Sequence, residues 1–280
     1  MYFCSMKPQK PILKPIGNLV GFFGKNTVKT YLTWVFNEIG FVPDDDAAFT
    51  FASFKGVVNG KKIKIHFAIL VRSKYTGVDA NRQVRYRTFQ GLRMDVSVDF
   101  SNPTRLIISK KPKGVLLKLI TKVVMKYKNF KPVKSTFIYR KEHEAWSPDI
   151  LFANAFLNHS SIIENLDCLT KNKTTIKSWG IIINPVSFSF GTTFINLNDF
   201  DPEKIKNRLE KIVEIVLLSQ NLVVSKKLNP TKAERLAQKD PKALARKGLV
   251  KVLLFVLIVI VLIFAFISVI LIVLNRSGSF

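Results

Sequence analysis

The hydrophobic positions along the chain follow a helical period first and a strand alternation afterwards. From Thr27 to Gly40 apolar residues recur at three-to-four spacing and the run ends on glycine, which predicts a first helix. The stretches after it are rich in β-branched and aromatic residues. They predict strands over Phe49–Val58, Lys61–Val71, Tyr86–Phe100 and Arg105–Ser109. The dipeptide Asn59-Gly60 is typical of a two-residue hairpin turn.

Two of these stretches alternate strictly between apolar and polar residues. Lys62 to Phe67 places isoleucine and phenylalanine on one face and basic residues on the other, and Met94 to Phe100 repeats the alternation with aspartate and serine. A strand of this kind has one face on the core and one face in water. We therefore expect an antiparallel sheet that is covered on one side only.

A second group of elements follows Pro112. Gly114 to Tyr127 predicts an amphipathic helix whose lysines recur every four residues on the polar side. After it the pattern predicts a strand at Ser135–Tyr139, helix over Pro148–Thr170 with a break at Asn158–Ser160, short strands at Thr174–Trp179, Ile181–Asn184, Val186–Phe190 and Phe194–Leu197, and a helix from the cap Asp201 to about Gln220.

The run from Val252 to Leu274 is apolar except for Ser268 and has no charge, glycine or proline. At about 1.5 Å per residue a helix of this length spans about 34 Å, enough to cross a hydrocarbon core of about 30 Å. The sequence therefore predicts one transmembrane helix near the C-terminus, in a single-pass, tail-anchored arrangement.

Charges beside this run predict its orientation. Lys232 to Lys251 contains seven basic residues, whereas Arg276 is the only one after the run. Positive charge favours the cytoplasmic side, so we expect a cytoplasmic N-terminal body in a cell membrane and a short tail outside. Met1 to Val20 lacks the apolar core of a signal peptide, which agrees with this orientation.

These observations predict an α+β fold, namely an antiparallel, β-rich cytoplasmic body in two α/β subunits plus one C-terminal transmembrane helix. The expected organisation is an N-terminal extension (1–26), a helix with a β-meander (27–112), a second α/β unit that opens with a basic amphipathic helix (113–224), a basic juxtamembrane linker (225–251), the transmembrane helix (252–274) and a short tail (275–280).

Spaced glycines and aliphatic residues give the chain a resemblance to known families. Gly56 and Gly60 with Lys61, Ile63 and Ile65 form a G-x-x-x-G-[RK]-x-[VI]-x-[VI] hairpin, and Leu92–Val98 and Leu106–Ile108 follow it. This hairpin is followed by an α/β unit over Ile150–Leu169, Ile176–Leu197 and the helix after Asp201. The whole arrangement resembles uncharacterised prokaryotic membrane-associated domain families. The resemblance covers roughly residues 30 to 220 and implies a fold and a membrane association, but no activity.

Motifs of the common catalytic sites are missing from the sequence. There is no GxGxxG or GxxxxGK[ST] phosphate loop, and His143-Glu144 begins an HExxH pattern that has no second histidine. Cys4 and Cys168 belong to no CxxC or Cys/His cluster, and we interpret Cys168 as a small buried residue. Asp44 to Asp46 is interpreted as a solvated loop. We therefore expect no cofactor and no metal, and we lean against an enzyme.

Charge changes this picture most. The chain has 44 basic and 19 acidic residues, a formal net charge of +25, and no acid interrupts the basic block between Asp99 and Glu142. An anionic leaflet attracts each nearby cation by about 1 kcal/mol, within a Debye length of about 8 Å. We predict that the body lies against an anionic membrane surface through Lys110, Lys111, Lys113, Lys118, Lys122, Lys126, Lys242, Arg246, Lys247 and Lys251.

Three other functions stay open at this point. The same basic surface could dock an acidic protein, as a scaffold or partner-binding module. An enzyme with an unrecognised site is a second alternative. Nucleic-acid binding is the third, because aromatic and basic residues interleave over Tyr75–Phe89, although the sequence has no RNP, helix-turn-helix or KH signature.

Overall fold

The computed structural model describes residues 25–44, 51–79, 82–133, 141–171, 176–195 and 200–239. The chain divides into two compact units, Met1–Pro230 and Thr231–Phe280. The predicted transmembrane run Val252–Leu274 and the predicted strand Ser135–Tyr139 lie outside the described residues. Within the described residues, no helix is both long and apolar enough to cross a bilayer.

The described residues form nine strands and six helices. The strands are β1 Val42–Pro43, β2 Ala52–Val58, β3 Lys61–Asp79, β4 Arg82–Asp99, β5 Leu106–Lys110, β6 Lys131–Pro132, β7 His143–Ser147, β8 Ile176–Asn184 and β9 Ser187–Phe194. The helices are α1 Lys25–Glu38, α2 Val115–Tyr127, α3 Ile150–Asn158, α4 Ser160–Thr170, α5 Pro202–Gln220 and α6 Lys232–Lys239. In the second unit, α6 begins with a reciprocal cap between Thr231 and Glu234.

All nine strands belong to one sheet in the order β1-β2-β3-β4-β9-β8-β5-β7-β6, and every neighbouring pair is antiparallel. The α+β class with an antiparallel sheet is therefore confirmed. Strands β1 to β5 come from 27–112 and strands β6 to β9 from 113–224, and the two sets are interleaved in this sheet. Strand β9 pairs with β4, and β5 lies between β8 and β7. Each end of the sheet, as far as the described residues go, is a two-residue strand that contains a proline.

The predicted hairpin between β2 and β3 is confirmed. Asn59 has φ 48° and Gly60 has φ 76°, and a type I′ turn requires positive φ at both central residues. The next hairpin is longer than predicted, because β3 and β4 stay paired as far as Asp79 and Arg82. This part of the two strands is rich in polar residues and lacks a clear alternation, and among the described residues it pairs only with its own hairpin arm.

The core occupies one face of the central strands. Ile63, Ile65 and Val96 are buried, whereas Lys62 and Lys64 on the opposite face are exposed. Apolar residues of α1, α3, α4 and α5 join the same hydrophobic cluster. The expected one-sided cover is thus confirmed over β3 and β4. The helix predicted from Asp201 to about Gln220 is confirmed as α5. The Asp201 carboxylate caps it by accepting from the Glu203 backbone N–H.

The four short strands predicted after residue 173 are in fact two, β8 and β9. Glycine suggested breaks at Gly180 and Gly191, but both residues lie inside continuous strands. A Cβ at Gly180 would lie 3.0 Å from the Ile108 carbonyl oxygen, and one at Gly191 would lie 2.6 Å from the Asp95 carboxylate. These glycines therefore permit close approach of neighbouring groups instead of ending a strand.

Three further expectations have clear outcomes. The helical stretch after Pro148 is divided as predicted, because His159 ends α3 and precedes α4. The interpretation of Cys168 is wrong: it is exposed, on the side of α4 opposite the buried Leu166 and Thr170. The interpretation of Asp44 to Asp46 as a solvated loop is wrong for Asp44, which is buried and lies 3.8 Å from the Lys55 ammonium. Asp45 and Asp46 lie outside the described residues.

Candidate functional site: a basic helix and the adjoining groove

Helix α2 exposes its apolar side chains to solvent. It has no buried residue, and Leu116, Leu119 and Val123 are 69 %, 59 % and 61 % exposed. Soluble domains rarely expose contiguous apolar patches of this kind unless the patch binds something. The amphipathic helix of the sequence prediction is therefore confirmed, but its apolar side does not pack on the body.

The orientation of α2 follows from its least exposed residues. Only Thr121 and Met125 of this helix are half-buried, so this side lies towards the body. Val123 is two residues from each, which is about 200° around a helix of 3.6 residues per turn. The apolar stripe thus points away from the body. Lys122 and Lys126 lie on the flank between the two sides.

Few contacts support α2 beyond its own backbone. Its N-cap is Gly114, with φ 94° and no side-chain cap, and no acidic residue stands in the first turn. At its C-terminus Lys126 lies in the last turn, where a cation interacts favourably with the negative end of the helix dipole. Isolated helices shorter than about 12 to 15 residues are marginal in water. A surface that covers the apolar stripe would therefore stabilise this helix.

A groove of 910 Å³ adjoins the lysine flank of α2. Its floor is apolar and comes from the chain after α2 and from β7, whereas cations stand along its sides. The lining residues are Lys111, Lys122, Lys126, Asn129, Phe130, Lys131, Pro132, Val133, His143, Glu144, Ala145, Trp146, Pro148 and Lys226. A concave, mostly apolar site with a few polar groups is the usual form of a ligand site.

The electrostatics of the groove are strongly positive. Five of the lining residues are lysines, and among the described residues no carboxylate pairs with their ammonium groups. Among the described residues, Glu144 is the single acid in the lining, and one of its oxygens is buried without a donor. The Trp146 Nε1–H is likewise buried and has no acceptor among the described residues. The groove therefore offers unpaired positive charge beside an apolar floor.

The chain after α5 is fastened to the body beside this groove. The Asp149 carboxylate caps α3 by accepting a hydrogen bond from the Phe152 N–H at 3.1 Å. It also accepts from the Ser225 N–H, the Ser225 hydroxyl and the Lys226 N–H, at 2.7 to 2.9 Å. Burial raises the pKa of Asp149, but these hydrogen bonds outweigh burial and bring the pKa below its ordinary value. Asp149 thus positions Lys226 at the groove.

A second cavity, of 590 Å³, lies next to the first and shares His143 with it. The His143 ring is buried and stacks on Trp179 with 4.1 Å between ring centroids. Burial lowers the pKa of His143, and Lys110 lowers it further, against the opposing effects of a backbone hydrogen bond at Trp179 and the charge of Glu142. The imidazole is therefore neutral near pH 7.

The depressed pKa of His143 predicts a loss of stability in mild acid. The unfolded chain binds a proton near pH 6.5, whereas the folded chain resists it, so stability from this group is full above that pH and falls as the pH drops towards the folded pKa. The free energy of unfolding, measured by urea denaturation at pH 7.5 and at pH 5.5, should change by up to about 1 kcal/mol more for the native chain than for His143→Phe. Equal pH dependence in both proteins would contradict the assignment.

His66 lies on the open face of the sheet beside Ser53. The Ser53 hydroxyl is 2.9 Å from His66 Nδ1 and also donates to the Ile65 carbonyl at 3.2 Å. The Ile65 carbonyl oxygen and His66 Nδ1 are thus both within hydrogen-bond distance of this hydroxyl, whose proton can rotate between them. Burial lowers the pKa of His66, partly offset by Asp44 and Asp95. This pair is a structural hydrogen bond between β2 and β3.

The structure brings together only some of the predicted contact residues. Lys111, Lys122 and Lys126 line the groove. Lys110 lines the second cavity instead, and Lys113 and Lys118 are exposed beside or on α2. Lys242, Arg246, Lys247 and Lys251 lie outside the described residues.

Sequence reasoning missed Lys131, Lys226 and Trp146. Lys131 and Trp146 meet because β6 pairs with β7, and Lys226 arrives through the hydrogen bonds of Asp149. Lys131 belongs to the acid-free basic block and Lys226 to the predicted basic linker (225–251), whereas Trp146 has no comparable sequence signal.

The described residues contain no group of three or more side chains that could hold a metal ion. His143 and Glu144 are adjacent on a strand and therefore point to opposite faces, unlike the helical arrangement of an HExxH site. The resemblance to membrane-associated domain families stays a prediction. No family model, no curated protein and no solved structure matches the chain.

Proposed function

We propose that this protein is a membrane-anchored domain whose helix α2 lies in the interface of an anionic bilayer. The observation that supports this most is the outward apolar stripe of α2, flanked by lysines and free of acids. Interfacial helices have this composition: an apolar face enters the acyl boundary, and basic residues remain among the headgroups. The predicted anchor at Val252–Leu274 would hold the domain near that surface.

The magnitudes favour a bilayer as the surface that covers α2. Complete burial of one leucine or valine side chain contributes about 1.5 to 3 kcal/mol, and α2 offers several, each partly embedded. Each lysine near an anionic leaflet adds about 1 kcal/mol. The lysine stems can follow the apolar surface while their ammonium groups stay in water. A membrane supplies the apolar layer and the anionic layer together along the whole helix.

A fluorescent label on α2 tests this proposal. In the full chain with Cys4→Ser and Cys168→Ser, Val123→Cys is labelled with an environment-sensitive dye, and the protein is reconstituted into vesicles with or without phosphatidylglycerol. We expect a blue shift and a several-fold rise in emission with the anionic lipid, and quenching by lipids that bear a spin label on the acyl chain.

Val57→Cys provides the matched control. Val57 on β2 is 62 % exposed and Val123 is 61 % exposed, so the two positions are equally available to the dye. The label at Val57 should remain in water under both conditions. If both labels respond alike, or if neither responds, the proposed contact of α2 with the bilayer is wrong.

A further inference from the structure

The groove beside α2 has the chemistry of a lipid site. Its floor includes Phe130, Val133 and Trp146, and five lysines stand along its sides. Its 910 Å³ lies within the range of about 300 to 1,000 Å³ that small-molecule pockets occupy. An apolar floor favours a hydrocarbon chain, and the unpaired ammonium groups favour an anionic head.

We infer that this groove binds one anionic amphiphile, with its chain on the apolar floor and its acidic head among the lysines. This inference deepens the proposed function and rests on it, because α2 at the bilayer surface would bring the groove within reach of lipid. A fatty acid and an acidic phospholipid share the required chemistry.

One buried polar atom supports a ligand at this place. Trp146 is 6 % exposed and lies outside the main hydrophobic cluster, although it is one of the largest side chains in the body. Its buried Nε1–H has no acceptor among the described residues, and an unsatisfied buried donor costs about 1 to 3 kcal/mol. A carboxylate, ester or phosphate oxygen is the acceptor that this indole lacks.

The charge balance of the groove selects an anion over a neutral ligand. Glu144 opposes an anionic head, but it is one carboxylate against five ammonium groups. His143 is neutral near pH 7, because burial lowers its pKa, and so it adds no positive charge. The selectivity for an anion therefore comes from the lysines, of which Lys122 and Lys126 belong to α2.

A matched pair of charge reversals on α2 separates the groove from the general basic surface. Lys126→Glu and Lys118→Glu change the net charge equally on one helix, but only Lys126 lines the groove. The full chain in detergent is titrated with phosphatidylglycerol, oleate or phosphatidylcholine, and bound lipid is counted by native mass spectrometry. Lys126→Glu should weaken binding of the anionic lipid about tenfold or more, and Lys118→Glu less than threefold.

The outcomes of this titration are distinct. Tight binding of phosphatidylglycerol identifies a phospholipid site, and binding of oleate alone identifies a fatty-acid site; both support the inference. Equal weakening by the two reversals, equal binding of phosphatidylcholine, or no retained lipid overturns it. The Val123 label reports contact of α2 with the bilayer independently of the groove. If the titration overturns the lipid site but the label still shows its blue shift, the proposed function stands and only the groove assignment fails.

Occlusion of the groove gives a second test that does not alter charge. Val133 lines the apolar floor of the groove and is only partly buried, so Val133→Phe adds volume inside the groove. We expect the bound amphiphile to be lost while the urea midpoint stays close to that of the native chain. Unchanged lipid binding in this variant would contradict the location.

Discussion

Replacement of Asp149 by alanine is expected to destabilise the protein by about 3 to 5 kcal/mol. The Asp149 side chain is buried, and it accepts four hydrogen bonds that join α3 to the chain after α5. Alanine would leave three backbone N–H groups and the Ser225 hydroxyl without their acceptor. Urea denaturation of the full chain at pH 7 measures the change.

Asp201→Ala is the matched control for this prediction. Asp201 also caps a helix, but it is only partly buried, and its carboxylate accepts one capping bond, from the Glu203 N–H. Loss of an ordinary N-cap costs about 1 kcal/mol. If both variants lose the same stability, the bonds from Asp149 to Ser225 and Lys226 contribute nothing, and the attachment of that segment is weaker than the structure indicates.

The pKa of Asp149 gives this prediction a pH dependence. Because the folded pKa is below the ordinary value, the stabilisation is present above about pH 4 and is lost as the pH falls through the folded pKa. The difference between the native chain and Asp149→Ala should therefore shrink in strong acid. A constant difference from pH 7 to pH 2 would contradict the direction of the shift.

Gly91→Ala is expected to cost about 3 kcal/mol or more. Gly91 has φ 145°, a conformation that residues with a Cβ avoid, and a Cβ there would lie 2.7 Å from the Phe194 carbonyl oxygen. That oxygen belongs to the backbone of β9, so the sheet itself must move. Gly91 stands where the register of β3 and β4 shifts by one residue, between Leu70 and Val71.

Gly60→Ala separates backbone strain from collision. Gly60 also has positive φ, 76°, but a Cβ there meets nothing within 4 Å. A residue with a Cβ in this left-handed region costs about 1 kcal/mol. Thermal unfolding of the two variants should therefore differ clearly. Equal melting temperatures would show that β9 accommodates the added methyl group.

The sequence predicted the elements whose signals are local. Helices α1 and α5 have an unbroken apolar period and clear ends, and the β2–β3 turn has the residues that its dihedral angles require. Strand β7 was missed, because His143–Ser147 is short and its pairing partners in β5 lie more than 30 residues away. Pairing of that kind has no local signature, since it depends on the whole sheet.

The candidate site was predicted in part for the same reason. The basic block and the amphipathic period of α2 are sequence features, so the lysines of the helix could be named. The direction of the apolar stripe depends on which side of α2 meets the body, here Thr121 and Met125. The groove needs β6, β7 and the segment after α5 together, and no pattern along the chain joins them.

The edges of the sheet affect how this protein behaves when many copies are crowded together. An exposed edge strand offers free N–H and C=O groups on which another chain can add, and this is a common route to aggregation. Here the outermost described strands are only two residues long, and Pro43 and Pro132 have no N–H to donate. The outermost strands therefore resist strand addition. Among the described residues, the β3–β4 arm beyond Leu70 and Gly91 pairs only with itself, so its outer edges are the place where the strand of another copy can add.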